Sequence, residues 1–431
     1  MEAWLHGGCL FLRSSSKLCY GVRIRFTISD HSSYQVLILS DKGFPTCFGV
    51  FQNYYSTQPQ FADKTKNIAL IGTIAQGLCY LGAPFSAALT KRLPKYQRQQ
   101  IWIGWFLCIL SLLAASLATT IGGLIATQGI IYGIGFVILT YPIISMVNEW
   151  WIARKGMAFG LISAASGGAG VVMPLILEAM LNKYGYSTTL RASAVAMVIL
   201  TGPLLPTLKG RLPPAERSAI ARTNWSFLKK PLFWVYCLST LTQGLGFFFP
   251  SLFLPSYATA IGLKPSQGAL LLATMSTAQV LGQFAFGYMS DKQISVSTLA
   301  TICSVISTIA TFALWGIAKS IGLLIVFSIF YGFFGYGFGA MRVAMGRTVS
   351  NDPSAAVATY SLLVFVQGIG NILVGPISAG MLSQRISLDD YGVSRYKDLV
   401  IFTGTCMFAS ALMIGGWHFQ RLCQAVMSAG R

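Results

Sequence analysis

The chain has 431 residues, 54% of them hydrophobic and only 10% charged, with a mean hydropathy of +0.63. A soluble domain carries roughly a quarter charged residues, so this composition excludes an ordinary soluble enzyme or binding module. The formal charge of +19 does not point to nucleic acid, because the cations sit in loops between apolar runs, where membrane topology accounts for them.

Residues 1–42 mix Arg13, Lys17, Arg23, Arg25, Asp30, His31, Asp41 and Lys42 with short apolar pieces. No window there is long and clean enough to span a bilayer, and Cys9 to Leu12 is too short for a signal-peptide core. Apolar runs then follow at 68–90, 101–119, 121–146, 157–178 and 190–207. A basic linker at 208–231 holds Lys209, Arg211, Arg217, Arg222, Lys229 and Lys230, and precedes runs at 232–258, 267–290, 296–317, 321–345, 355–384 and 399–417. Runs of about 20 apolar residues read as transmembrane helices. They are too long and continuous for barrel strands, which alternate over about 10 residues. The class is an all-α polytopic membrane protein with eleven clear helices, five before the linker and six after it.

Internal repeats suggest that the five were once six. Gly133-x-Gly135-Phe136 reappears as Gly335-x-Gly337-Phe338, at an offset of 202. Gly168, six residues before Pro174, matches Gly370, six before Pro376. Leu81-Gly82 followed by Ala87, Thr90 and Arg92 parallels Leu281-Gly282 followed by Gly287, Ser290 and Lys292, at 200. Phe44-Pro45-Thr46-x-Phe48 parallels Phe249-Pro250-Ser251-x-Phe253, at 205, which places the start of a first helix near residue 27. Its second half, Gly43 to Tyr55, is present. Its first half is replaced by Thr27 to Lys42, with charges that are costly at mid-bilayer. We read this first helix as atypical or truncated, through an altered gene prediction or a splice form. Transcript sequencing across codons 35–50 tests that reading, and a continuous, well-covered frame counts against it. The expected division is an atypical segment 1–42, a transmembrane half 43–207, the linker 208–231, a second half 232–420 and a tail 421–431.

The stretch Trp150-Trp151-Ile152-Ala153-Arg154-Lys155-Gly156-Met157-Ala158-Phe159-Gly160 opens a small-residue helix running to Pro174. Gly156, Gly160, Ala164 and Gly168 recur every four residues and so share one face, a stripe suited to close helix packing. The pattern W-W-x-x-R-K-G-x-A-x-G-L-x-x-A-x-x-G-G resembles the signature after the fourth helix of the monocarboxylate-porter family of the major facilitator superfamily, in the style of its fungal branch. The resemblance covers residues 43–420 and implies two six-helix halves around a central site. Gly287-Tyr288-Met289-Ser290-Asp291-Lys292 resembles that superfamily's hinge motif G-x-x-x-D-R/K, in which the Asp pairs across helices; a solvated loop charge is the competing reading. The corresponding turn, Ala87 to Arg92, has no Asp. Arg154, Lys155, Gly156, Gly160, Gly287, Asp291 and Lys292 are the conformational candidates. The chain departs from animal monocarboxylate porters, which carry a first-helix Lys near the position of Thr46 and an Asp-Arg pair in the eighth helix. Porters of the family usually have an acidic residue and a G-G-W-G-W run in the first helix, and neither is here.

Lys and Arg are denser in the loops and tail that share a side with the linker (Lys91, Arg92, Lys95, Arg98, Arg154, Lys155, Lys292, Arg342, Arg347, Arg421, Arg431) than in the alternate loops. This places linker and termini in the cytoplasm. Polar groups within apolar runs are costly unless they face protein or water. Gln128, Tyr132, Gln243, Gln279, Gln283, Tyr336, Gln367 and Asn371 are therefore substrate-binding candidates, with Gln76, Tyr141 and Tyr331 beside them; plain interhelical hydrogen bonding is the alternative for each. Arg342 is the one cation embedded in an apolar run, suited either to bidentate carboxylate binding or to snorkelling towards the interface.

A proton is a candidate co-substrate, although no Asp, Glu or His lies near the middle of any run, where relays need them. The nine cysteines show no C-x-x-C pair and no zinc spacing. His6, His31 and His418 supply no catalytic constellation, and no G-x-x-x-x-G-K-[ST] occurs for ATP drive. We therefore expect no cofactor, no metal and no enzyme activity. The expected protein is a monomeric secondary transporter of a small organic solute, a monocarboxylate or related anion, in the plasma membrane or the vacuolar membrane. Its fungal relatives imply vitamin carriers and exporters of secondary metabolites as alternatives. The altered first helix leaves a non-transporting or defective paralogue open, and an integral-membrane enzyme is the remaining class.

Overall fold

The computed structural model describes residues 47–61, 67–150, 155–208, 225–292, 294–350, 352–382, 391 and 393–429. The atypical stretch before Cys47, most of the linker and Arg154 lie outside the described residues. The described chain is helical. In order it forms α1 (Phe48–Thr57), α2 (Ile68–Leu81), α3 (Ala83–Arg92), α4 (Gln97–Ala115) and α5 (121–150). Lys155–Thr201 follows, divided at Gly185 into α6 (155–184) and α7 (186–201). The second half holds α8 (Pro231–Phe247), α9 (Phe249–Ala260), α10 (Pro265–Met289), α11 (296–315), α12 (321–349), α13 (Pro353–Met381) and α14 (Lys397–Ala429).

Local chemistry sets the ends. Pro231 and Pro265 stand in the first turns of α8 and α10, where a missing N–H costs nothing. Thr120 caps α5 by accepting from the Gly123 N–H at 3.1 Å. Gly185 has φ = 77°, a conformation that glycine reaches without strain. It separates the expected runs 157–178 and 190–207. α2 and α3 form one bent span, 42° at Gly82. Among the described residues nine helices are long and apolar enough to cross a bilayer, or ten with that bent pair. Once Gly185 is counted as a break, each of the eleven expected runs has its helix. Phe106, Leu117, Ile199, Leu281 and Leu412 are exposed on the outer surface, as lipid-facing residues should be.

The halves are related by swapped contacts. Gly167 of α6 packs against Ser276 and Val280 of α10, and Gly368 of α13 packs against Tyr80 and Leu81 of α2. Each glycine meets the other half at residues about two hundred positions apart, as a pseudo-twofold axis requires. Within the halves, Gly133 lies against Ala75 and Leu78, and Gly332 against Met275 and Ala278. The contacts thus pair Gly133 with Gly332, three residues before the partner suggested by the sequence match at 202. Spaced glycines recur on closely packed membrane helices, so that match alone did not fix the register.

We call the end where α8 begins the linker end and the opposite end the far end. At the far end one apolar core joins both halves, from Phe48, Phe51 and Tyr55 to Phe249, Phe253 and Tyr257. There α1 meets α9, where a Cβ on Gly49 would run into the Ser251 carbonyl oxygen and the Thr259 hydroxyl donates to Asn53 Oδ1 at 3.0 Å. At the linker end the described residues form two separate cores, one per half.

Candidate functional site

A cavity of about 90 Å³ lies between the halves, on the linker side of the far-end seal. α2, α5, α8, α10, α12 and α13 all contribute to it. Arg342 projects into it from α12 and is only 6% exposed. Its guanidinium stands 5.8 Å from the centroid of the Tyr80 ring, a cation–π distance. Its Nε has no hydrogen-bond partner, and among the described residues no carboxylate pairs with it. Gly339, one turn earlier, leaves room for the side chain, since a Cβ there would come within 2.7 Å of Arg342 Nη2. The snorkelling alternative does not describe this geometry, because the cation faces the space between the halves.

Around it stand Tyr80, Tyr141, Tyr336 and Tyr360, with Gln76, Gln279 and Gln283. The Tyr141 hydroxyl donates to the Cys79 carbonyl at 3.3 Å. Tyr336 packs on Phe247 at 4.6 Å between ring centroids. Gln283 is buried with its Oε1 unpartnered. A fixed cation, aromatic faces and amide groups can hold one anionic group and stack a flat apolar body. A buried cation without a counter-ion is unstable on its own, so the arrangement favours an anionic occupant.

Of the sequence candidates, Gln279, Gln283, Tyr336 and Arg342 line this cavity, as do Gln76 and Tyr141. The others stand elsewhere. Gln128 accepts from the Tyr55 hydroxyl at 3.1 Å, and Gln243 Nε2 donates to the Gly335 carbonyl at 3.4 Å. The Tyr331 hydroxyl donates to the Phe247 carbonyl at 3.2 Å. Tyr132, Gln367 and Asn371 are buried in the helix packing. Sequence reasoning missed Tyr80, Tyr360 and Thr140. The spacing of Gln76 and Tyr80, one helical turn apart on one face, was the available signal for Tyr80.

Among the conformational candidates, Asp291 Oδ1 pairs with Arg347 at 2.7 Å, joining the turn after α10 to the end of α12. Gly287 closes α10, and Lys292 lies 4.9 Å over the Tyr288 ring. Lys155, Gly156 and Gly160 fall in the opening turns of α6.

The sequence profile of the Major Facilitator Superfamily matches residues 46–375 and 236–421. The chain belongs to that superfamily. Its fold is also that of a solved structure: a point mutant of the nucleoside transporter NupG superposes with a TM-score of 0.67, covering 90% of this chain and 99% of that one at 15% identity. Similar proteins of known name include several fungal transporters. The "MFS transporter asaE" of Aspergillus flavus is 25% identical over 374 residues, 86% of this chain and 84% of the relative. The "Agnestins efflux protein AgnL12" of Paecilomyces divaricatus is 24% identical over 86% of this chain and 82% of its own length. For the "Aspyridones efflux protein apdF" of Emericella nidulans the figures are 26%, 87% and 73%.

Proposed function

We propose that the chain exports an acidic, partly aromatic secondary metabolite by alternating access, with Arg342 as the anion-binding residue. The observation that carries this reading is the unneutralised Arg342 guanidinium among tyrosines in the cavity between the halves. The efflux proteins among the relatives support export. The likeness of the stretch 150–168 to the monocarboxylate porters supports an anionic solute. The continuous far-end core and the two separate linker-end cores support rocking of one half against the other. With the linker end cytoplasmic, the cavity lies on the loading side for an exporter.

Comparing metabolites inside and outside cells that lack or overproduce the protein identifies the solute. Vesicles then measure its transport by Arg342→Gln, Arg342→Lys and the parent at matched protein levels. A buried anion that loses its cation costs about 3–5 kcal/mol, so Arg342→Gln lowers transport by about 100-fold or more and Arg342→Lys retains a fraction. Transport of an anion at the parental rate by Arg342→Gln removes Arg342 from the site. No extracellular difference in any acidic metabolite removes the export reading.

A further inference from the structure

A second cavity, of about 510 Å³, opens at the linker end of the second half, away from the central site. It is bounded by the start of α8, the turn between α10 and α11, the end of α12 and the span-end of α14. Lys292, Arg347 and His418 line it, with hydroxyls from Ser295 and Ser297, and no acidic side chain is among its described lining. Asp291 offsets part of the Arg347 charge from the side, so Lys292 carries the excess. His418 Nε2 shares a 3.4 Å hydrogen bond with Thr298, which holds the ring at the mouth of α11.

Two further features act in the same sense. α11 begins inside this cavity, and Ser295 makes no side-chain cap there. The unpaired first-turn N–H groups and the positive end of the helix dipole therefore add to the basic side chains. The depth is also specific. The spans containing α8, α11 and α14 end at Pro231, Val296 and Gln420, so the lining residues sit within about a turn or two of the apolar boundary at 1.5 Å per residue. Trp417 lines the cavity, and Trp234 is exposed at the same end of α8, as interfacial tryptophans are. Ile294, on the rim, is 43% exposed, and Ile302 and Leu412 continue an exposed apolar surface along α11 and α14.

We propose that this cavity binds the phosphate of an anionic phospholipid headgroup, whose acyl chains lie along the outer faces of α11 and α14. A phosphodiester suits the site because its oxygens accept from ammonium, imidazole, hydroxyl and helix N–H donors together. A soluble phosphate has no use for the apolar surface beside the rim.

The test reconstitutes the full chain in phosphatidylcholine mixed with phosphatidylserine. Lipid retained through a delipidating wash is then measured by mass spectrometry for the parent and for Lys292→Gln combined with His418→Gln. The parent retains phosphatidylserine over phosphatidylcholine, and the double variant reduces that preference about tenfold, in line with the worth of basic residues at a headgroup layer. No preference in the parent overturns the proposal, whatever the variants do. A monodisperse double variant with undiminished preference also overturns it. Displacement of the lipid by soluble glycerophosphoserine at the same concentration assigns the site to a free phosphate and overturns the lipid source.

Discussion

At positions two hundred residues apart, the two halves line one cavity with different chemistry. Where the second half places Gln279 and Tyr336, the first places Cys79 and Phe136. Pro142, two hundred positions before Arg342, stands inside α5 and carries no charge, and neither does its neighbour Ile143. The charged turn differs as well: Asp291 corresponds to Lys91, so the pair with Arg347 has no first-half counterpart at these positions. The first half keeps Gln76, Tyr80, Thr140 and Tyr141 at the cavity. Duplication thus preserved the packing, in which small residues face helices, while the cation, the charge pair and two cavity polar groups stand in the second half alone.

The largest test of that contrast concerns packing. A Cβ at Gly282 would run into the Phe333 backbone, whereas at Gly82 it would meet only the side chain of Val137. A backbone cannot step aside as a valine rotamer can. Gly282→Ala therefore sharply lowers folded yield and thermal stability, by about 1–3 kcal/mol or more, and Gly82→Ala is the milder change. Detergent thermal-melting curves of both variants check this, and equal losses would mean the halves pack alike.

An intermediate effect is expected at the charge pair. Asp291→Asn leaves Arg347 without its partner and shifts the balance of linker-end conformations about threefold, the scale of a partly exposed ion pair. At the corresponding positions stand Lys91 and Val147, which cannot form that pair, so Lys91→Asn leaves the balance in place. Accessibility of single cysteines introduced at the linker end of α3 and α10 reads the shift. If Lys91→Asn matches Asp291→Asn, the asymmetry is one of sequence only.

The smallest effect belongs to the ring pair. Tyr336→Phe removes one hydroxyl from the cavity and raises the KM of the transported solute about 3- to 10-fold, the range for a hydrogen bond. Phe136→Tyr adds one without a defined partner and changes KM less. Opposite results would place the recognising face in the first half.

The helices were legible because a bilayer leaves the backbone few options: an apolar run long enough to cross becomes a helix, and Gly185 supplies the break between two of them. The site was only partly legible. Arg342, Gln279 and Gln283 were visible as polar groups in apolar runs, whose cost implies a partner. The same criterion also selected Gln128 and Gln243, whose partners are Tyr55 and a helix carbonyl. Which face of a helix meets its neighbour and which meets the cavity depends on crossing geometry, and polarity alone does not encode it. Tyr80 and Tyr360 escaped because a tyrosine is apolar enough to sit in any membrane helix: the criterion that selected Tyr132, Tyr141, Tyr331 and Tyr336 did not separate cavity tyrosines from packed ones, and only the fold brings Tyr80 beside a guanidinium.

Among the described residues no carboxylate pairs with Arg342, and under the proposed transport role this has an electrical consequence. An empty carrier turning from one side to the other shifts a positive charge through part of the membrane field, worth up to about 2.3 kcal/mol per 100 mV for a full crossing. A monoanionic passenger cancels that charge, so the loaded protein turns without regard to voltage. Under the export reading proposed above, with the cell interior negative, the potential then acts on the return stroke alone and draws the vacant site back towards the cytoplasm, so that the membrane potential itself would power expulsion of the anion.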